Sequence, residues 1–230
     1  MTSPISQAAR RLALAAAACL VPGCLETSPS AEGRIACFLS SHEDILRTRR
    51  VVFIELAAVD DCPPQVAWDT TRALGSAVQA RRLFHVETVR RTDAMCRDLP
   101  IEGIEALTLP ELAAMRQGLR CDAVLFGRVS HFQPFPRMQL GLYLKLIDLK
   151  DGKLVWGVDD VWDTTDQSTE RRIRKYFYRE VRDGYDPLGH ELVLKSPRAF
   201  ERFIAYEVAE TLQRPHPSGR NQPASPKRLK

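Results

Sequence analysis

From Val51 onward the apolar positions of this chain change their period repeatedly, and each change marks an element. Val51-Val-Phe-Ile-Glu-Leu-Ala-Ala58 is a compact apolar run that predicts a first strand. After Pro63-Pro64, Val66, Ala73, Leu74, Ala77 and Val78 recur at helical spacing and predict a helix to about Arg82. Leu83 to Val89 reads as a second strand. A second helix has an explicit start: Thr108 and Glu111 form a capping box and Pro110 stands in the first turn. Leu112, Met115 and Leu119 are its apolar stripe.

Ala123-Val-Leu-Phe126 is apolar on both faces, as in a central strand covered from each side. Met138, Leu140, Leu142, Leu144 and Leu146 alternate with Gln139, Gly141, Tyr143, Lys145 and Ile147, so one face is buried and the other mostly wet. Lys150-Asp-Gly-Lys153 predicts a tight hairpin, and Leu154, Trp156 and Val158 open a fifth strand. A helix over 167–182 carries Ile173, Phe177 and Val181. The last helix, capped by Ser196-Pro197, carries Phe200, Phe203, Ile204, Val208 and Leu212. Residues 35–49 read as a lead-in helix. The order β-α-β-α-β-β-β-α-α predicts a single α/β domain, a mixed sheet of about five strands with helices packed on it. No internal repeat is present.

Ahead of that domain the pattern has a different meaning. Arg10-Arg11 precede the apolar run Leu12–Val21, and Pro22-Gly23-Cys24 follows. A positive n-region, a short apolar core and a small residue before the cut describe an export signal. The run of about ten residues is half of the roughly 20 that a spanning helix requires. A cysteine directly after the small residue makes a bacterial lipoprotein signal the sharper reading, with Cys24 lipidated at the mature N-terminus. Plain secretion of a soluble protein is the other. The chain therefore divides into a signal peptide (1–23), a tether and lead-in segment (24–50), the α/β domain (51–213), expected to face the periplasm, and a basic, disordered tail (214–230). The expected location is the cell envelope, lipid-anchored and on the periplasmic side of the outer membrane.

Charge changes the picture only when it is located. The formal balance is +4 with a pI of 8.8. The leader and the tail together hold seven basic residues and no acidic ones, so the body carries 26 basic against 29 acidic residues. No basic domain underlies the pI, and nucleic acid is not an expected partner. Beyond Cys24 stand Cys37, Cys62, Cys96 and Cys121. In an oxidising compartment they are compatible with two disulfides, Cys37–Cys62 and Cys96–Cys121 being the short-loop pairing, or with small buried residues. The spacings of 25, 34 and 25 residues fit no zinc ribbon, and no metal or cofactor is expected.

Candidate chemistry is sparse. Ser130 and His131 are adjacent, which on a regular strand points them to opposite faces. His42, His85, His190 and His216 share no ligand spacing, and no GxSxG, P-loop or GxGxxG occurs. Asp159, Asp160, Asp163 and Asp166 read as a solvated strand end. Unbroken alternation from Trp156 places Asp160 on the buried face unless a bulge near Asp159 turns it to water. The helix 170–182 bears Arg171, Arg172, Arg174, Lys175, Arg179 and Arg182 beside Tyr176, Phe177 and Tyr178. A basic, aromatic-edged helix suits an anionic glycan, a membrane surface or a protein partner, or is the solvated side of a core helix.

Cys121-Asp-Ala-Val-Leu-Phe-Gly-Arg-Val-Ser130, the alternating strand to Asp148 and Asp151-Gly-Lys-Leu-Val-Trp156 together resemble a pattern in small envelope lipoproteins. The chain is similar over residues 50–160 and the last helix to the group of curli-secretion, Pel polysaccharide-export and peptidoglycan-synthase-activator lipoproteins. The resemblance implies a non-enzymatic, membrane-tethered assembly or accessory factor of an export or cell-wall machine, acting as a homo-oligomer. A curli-type transmembrane barrel is not implied, because no pair of long lipid-facing strands is left over. The alternative is a binding module for anionic polysaccharide or lipid headgroups on the basic helix.

Overall fold

The strictly alternating segment lies inside a seven-stranded mixed sheet in the computed structural model, which describes residues 35–59, 62–97, 99, 108–181 and 189–213. The leader, Cys24, the tether, Arg182 and the basic tail fall outside the described residues. The strands are β1 (Cys37–Leu39), β2 (Arg50–Ile54), β3 (Ala57–Ala58), β4 (His85–Val89), β5 (Ala123–Gln133), β6 (Gln139–Asp148) and β7 (Leu154–Asp163). The helices are α1 (His42–Arg47), α2 (Pro64–Ala80), α3 (Leu109–Leu119), α4 (Gln167–Tyr176), α5 (Glu191–Lys195) and α6 (Pro197–Thr211). Strand order is β1-β7-β6-β5-β2-β4, with β3 beside the far half of β5. β5, β6 and β7 form an antiparallel meander, and β2 runs parallel to both β4 and β5.

The α/β class is as expected; two short strands raise the count. The run Val51–Ala58 breaks at Glu55 and Leu56, where other groups take the backbone. Arg91 Nε donates to the Glu55 carbonyl at 2.9 Å, and the Leu56 N–H donates to Thr71 Oγ1 at 3.1 Å. The lead-in segment begins as the edge strand β1, not as a helix. Its flanks are bonded to β7 through Ser40 N–H to the Val155 carbonyl and Asp159 N–H to the Ala36 carbonyl. Ser41 then caps α1 by accepting from the Asp44 N–H, which delays the helix to His42.

Each face of the sheet has its own core. Leu140, Leu142, Leu144 and Leu146 share one face with Phe53, Trp156 and Trp162, under helices that contribute Leu74 from α2, Ile173 from α4 and Phe203 and Val208 from α6. Val52, Ile54, Val124 and Phe126 point to the other face, closed by Leu112, Met115 and Leu119 of α3. Ala123–Phe126 is therefore covered from both sides, as expected. The cap of α3 also forms as read: the Thr108 N–H donates to Glu111 at 2.7 Å. Gly152, at φ +75°, makes the β6–β7 turn. Beyond α3 the second face carries Phe38, Arg128, Tyr143, Lys145, Asp159 and Val161, all exposed or half-exposed. Arg128 lies 4.4 Å and Lys145 Nζ 5.0 Å from the Tyr143 ring centre.

Candidate functional site

Two rows of side chains face each other where α4 packs on α6. Asp166 starts α4 by accepting from the Ser168 and Thr169 backbone N–H groups. Bonds led by the Ser168 hydroxyl hold its carboxyl down at about 2. Ile173 and Phe177 are the buried side of the helix. The expected helix 167–182 does not stay regular. After Tyr176 it continues as a wide π turn, Phe177–Val181, a geometry that often accompanies functional sites. Tyr176 meets Phe203 at 5.6 Å and Tyr206 at 5.0 Å between ring centres, while Phe177 stays buried.

The six basic residues of this helix do different things. Arg172 is drawn inward: it pairs with Glu207 at 2.9 Å and donates to Thr169 Oγ1 at 3.0 Å. Glu207, 8% exposed, also accepts from Trp162 Nε1 at 2.9 Å. Arg174 pairs with Glu170 one turn back at 3.0 Å, and Arg171 bonds the Gln167 carbonyl of its own helix. Lys175 and Arg179 are exposed, and among the described residues no carboxylate lies within ion-pair reach of either. Arg182 lies outside the described residues.

Lys175 and Arg179 line an open cleft of about 180 Å³ together with Arg172, Tyr176, Tyr206, Glu207 and Glu210. Arg81, behind it, forms an ion pair with Glu210 and stands 5.0 Å above the Tyr206 ring. The Tyr206 hydroxyl donates to Glu180 at 3.3 Å, and burial, with Glu210 and Glu180 nearby, pushes its ionisation up. The cleft thus offers two cations without carboxylate partners among the described residues, a pair of tilted tyrosines and a wall of carboxylates already held by arginines. Glu207, Tyr206, Glu210 and Arg81 are absent from the sequence reading. The signal for Glu207 is its place in an apolar stripe, seven residues after Phe200 and four after Phe203.

Other expectations resolve differently. The acidic strand end is mostly structural: Asp166 caps α4, and Asp163 accepts from Thr165 and Gln139. Asp160 does share the face of Val158 and Trp162, and no bulge turns it away; the Ala36 N–H at the sheet edge donates to it at 3.2 Å. Asp159 remains exposed. Ser130 and His131 are not on opposite faces, because the register of β5 against β6 shifts between Val129 and His131. A Cβ on Gly141 would lie 2.6 Å from Ser130 Oγ and 3.0 Å from His131 Cβ, so both side chains crowd one spot. His131 Nε2 bonds Gln139 Oε1 at 2.8 Å.

Neither short-loop disulfide is closed in the structure. Cys37 is exposed on the edge strand, whereas Cys62, Cys96 and Cys121 are buried thiols. Burial pushes all three up, Cys121 to about 11, which makes them poor nucleophiles. Cys96 and Cys121 belong to the same core beneath α3, and Cys62 to the opposite one. Among the described residues, no three of His, Cys, Asp and Glu gather as a metal-binding group.

No protein-family model matches the chain, and no curated protein does. Among solved structures it is similar to the PelC dodecamer from Paraburkholderia phytofirmans, at 13% identity over 60% of this chain and 87% of that one, with a TM-score of 0.41. It is similar to lipoprotein GNA1162 from Neisseria meningitidis, at 13% identity over 49% and 78% of the two chains, TM-score 0.32. It is also similar to LpoB from E. coli, at 12% identity over 54% and 64%, TM-score 0.33. At the level of the fold these neighbours match the lipoprotein group that the Cys121–Trp156 pattern resembles.

Proposed function

We propose that this chain is a lipoprotein of the cell envelope, anchored through Cys24 and facing the periplasm from the outer membrane. There it serves, without chemistry of its own, as an assembly or accessory factor of an export or wall-building machine. The observation that carries this reading is the leader: two arginines, ten apolar residues, then Gly23-Cys24 and a polar tether to Arg34. A tether of that length spans at most ~35 Å, so the domain stays close to the bilayer. The part of the sheet face beyond α3, with Phe38, Tyr143, Arg128 and Val161, has the aromatic, arginine and apolar character that protein interfaces favour.

The deciding experiment is Cys24→Ala with membrane fractionation and mass analysis of the wild type. The wild type should sediment with membranes carrying several acyl chains, since one chain binds only marginally at ~0.8 kcal/mol per buried CH₂. The variant should be released. Identical fractionation together with no acyl mass refutes the anchor.

We further propose a homo-oligomer with the basic helix in its contacts, meeting a neighbour's acidic strand end, where Asp159 and Asp166 are the exposed carboxylates. Such a contact weakens with salt, because exposed pairs are screened within about 8–10 Å. Sedimentation showing a monomer at both low and high salt refutes it. A second reading, an anionic ligand on the basic helix, is favoured by one observation: Lys175 and Arg179 face an open cleft without carboxylate partners among the described residues.

A further inference from the structure

We infer that the cleft between α4 and α6 binds a carboxylated sugar unit of an anionic glycan, held by Lys175 and Arg179 against the Tyr176–Tyr206 wall. The inference rests on the second reading above and narrows it to one place and one ligand class.

Size comes first. The open cleft of about 180 Å³ is small, on the scale of a single sugar ring and not of an extended chain. Among the described residues the walls are rows of charged and phenolic groups, with no apolar channel that could take an acyl chain.

Charge then selects the substituent. Arg172 is neutralised by Glu207 and Glu210 by Arg81, so among the described residues of the lining the positive charge left for a ligand is that of Lys175 and Arg179, one helical turn apart. Arg171 and Arg174 are not in the lining. Glu207 and Glu210 form the opposite wall. Paired as they are, they keep lone pairs that can accept hydroxyl hydrogens from a sugar, so a carboxylate on a polyol ring meets the cations on one side and hydroxyl acceptors on the other, whereas a bare phosphate meets only the cations. The tilted tyrosines supply the apolar surface on which the carbon face of a ring can lie.

The test is ligand-observed NMR on the full chain in detergent micelles, titrated with tri-galacturonate, the neutral galactotriose and inorganic phosphate. Tri-galacturonate should bind and galactotriose should not. Lys175→Ala/Arg179→Ala should weaken binding about tenfold or more, while Arg171→Ala/Arg174→Ala should stay within about twofold of the wild type. All four side chains lie on the outer side of the helix or in the open cleft, so unchanged circular dichroism separates lost binding from lost fold. Equal binding of galactotriose, equal competition by phosphate, or full binding by the Lys175/Arg179 variant overturns the inference. Equal losses in both double variants overturn it too, and leave the basic helix as a diffuse anion-binding surface. No binding of tri-galacturonate or phosphate to the wild type removes the cleft and the helix reading together.

Discussion

Glu207→Ala is the perturbation that best tests how α4 is held. Its carboxylate is the shared acceptor of the Arg172 guanidinium and the Trp162 indole, each at 2.9 Å, and the residue is 8% exposed. Truncation leaves two donors behind. The indole of Trp162 is fully buried, so its N–H finds no water, at about 1–3 kcal/mol. The Arg172 side chain is 19% exposed and retains Thr169, so it can turn partly outward. Removing one member of a buried pair costs ~3–5 kcal/mol, and this escape of Arg172 places the expectation near the lower end, about 3 kcal/mol. Glu207→Gln keeps an acceptor for Trp162 and should cost about half as much. Arg172→Met/Glu207→Leu, which removes the pair altogether, should be less destabilised than the sum of its single variants, since an apolar replacement leaves no orphaned charge. Urea unfolding followed by circular dichroism, at constant m, reads all five variants: Glu207→Ala, Glu207→Gln, the double variant and its two singles. A Glu207→Ala loss under about 1 kcal/mol, or strict additivity in the cycle, refutes the account.

Two further outcomes follow from burial on the sheet and on α6. Leu144→Ala, at the middle of the buried face, should cost about 2–5 kcal/mol, and Tyr143→Ala on the half-open face distinctly less. Equal losses in a urea titration would mean that something covers both faces. Glu201 is pushed up to about 7 by burial and by Asp69, against the pull of Arg198 and Arg202, from an ordinary 4.5. It holds its proton more tightly folded than unfolded, so the stability it contributes is complete below pH 4.5 and is lost as pH rises to about 7. Glu201→Gln should therefore melt above the wild type at pH 8 and with it at pH 4. A difference that stays constant across that range refutes the assignment.

What was legible in the sequence is what local chemistry alone determines. The alternation of 138–147, the Thr108–Glu111 box, the Asp151-Gly152 turn and the Ser196 cap each depend on neighbours within a few residues, and each forms as read. The misreadings sit where a distant group takes over the backbone. Arg91 and Thr71 split one strand into β2 and β3, and the edge of β7 draws Cys37–Leu39 out of a helix. The Ser130–His131 bulge likewise depends on the register of β5 against β6, which no single strand encodes.

The basic helix shows the same division within one element. Its charge was legible, but which cations remain uncommitted depends on α6. Arg172, Tyr176 and Arg179 recur at i, i+4 and i+7 and so share a side, while Phe203, Glu207 and Glu210 recur at i, i+4 and i+7 on the facing helix. Set side by side, these rows place Glu207 against Arg172 and leave Arg179, with Lys175 beside it, at the mouth of the cleft. Two polar residues, Glu207 and Thr211, interrupt the apolar stripe of α6 four residues apart, and each meets a tryptophan of β7: Trp162 and Trp156, both at 2.9 Å. Those indoles fix the rotation of α6 about its axis, which fixes where Glu207 stands. Glu207 in turn withdraws Arg172 from solvent. The charge that α4 can offer a ligand is therefore set by two tryptophans on a strand that never reaches the cleft.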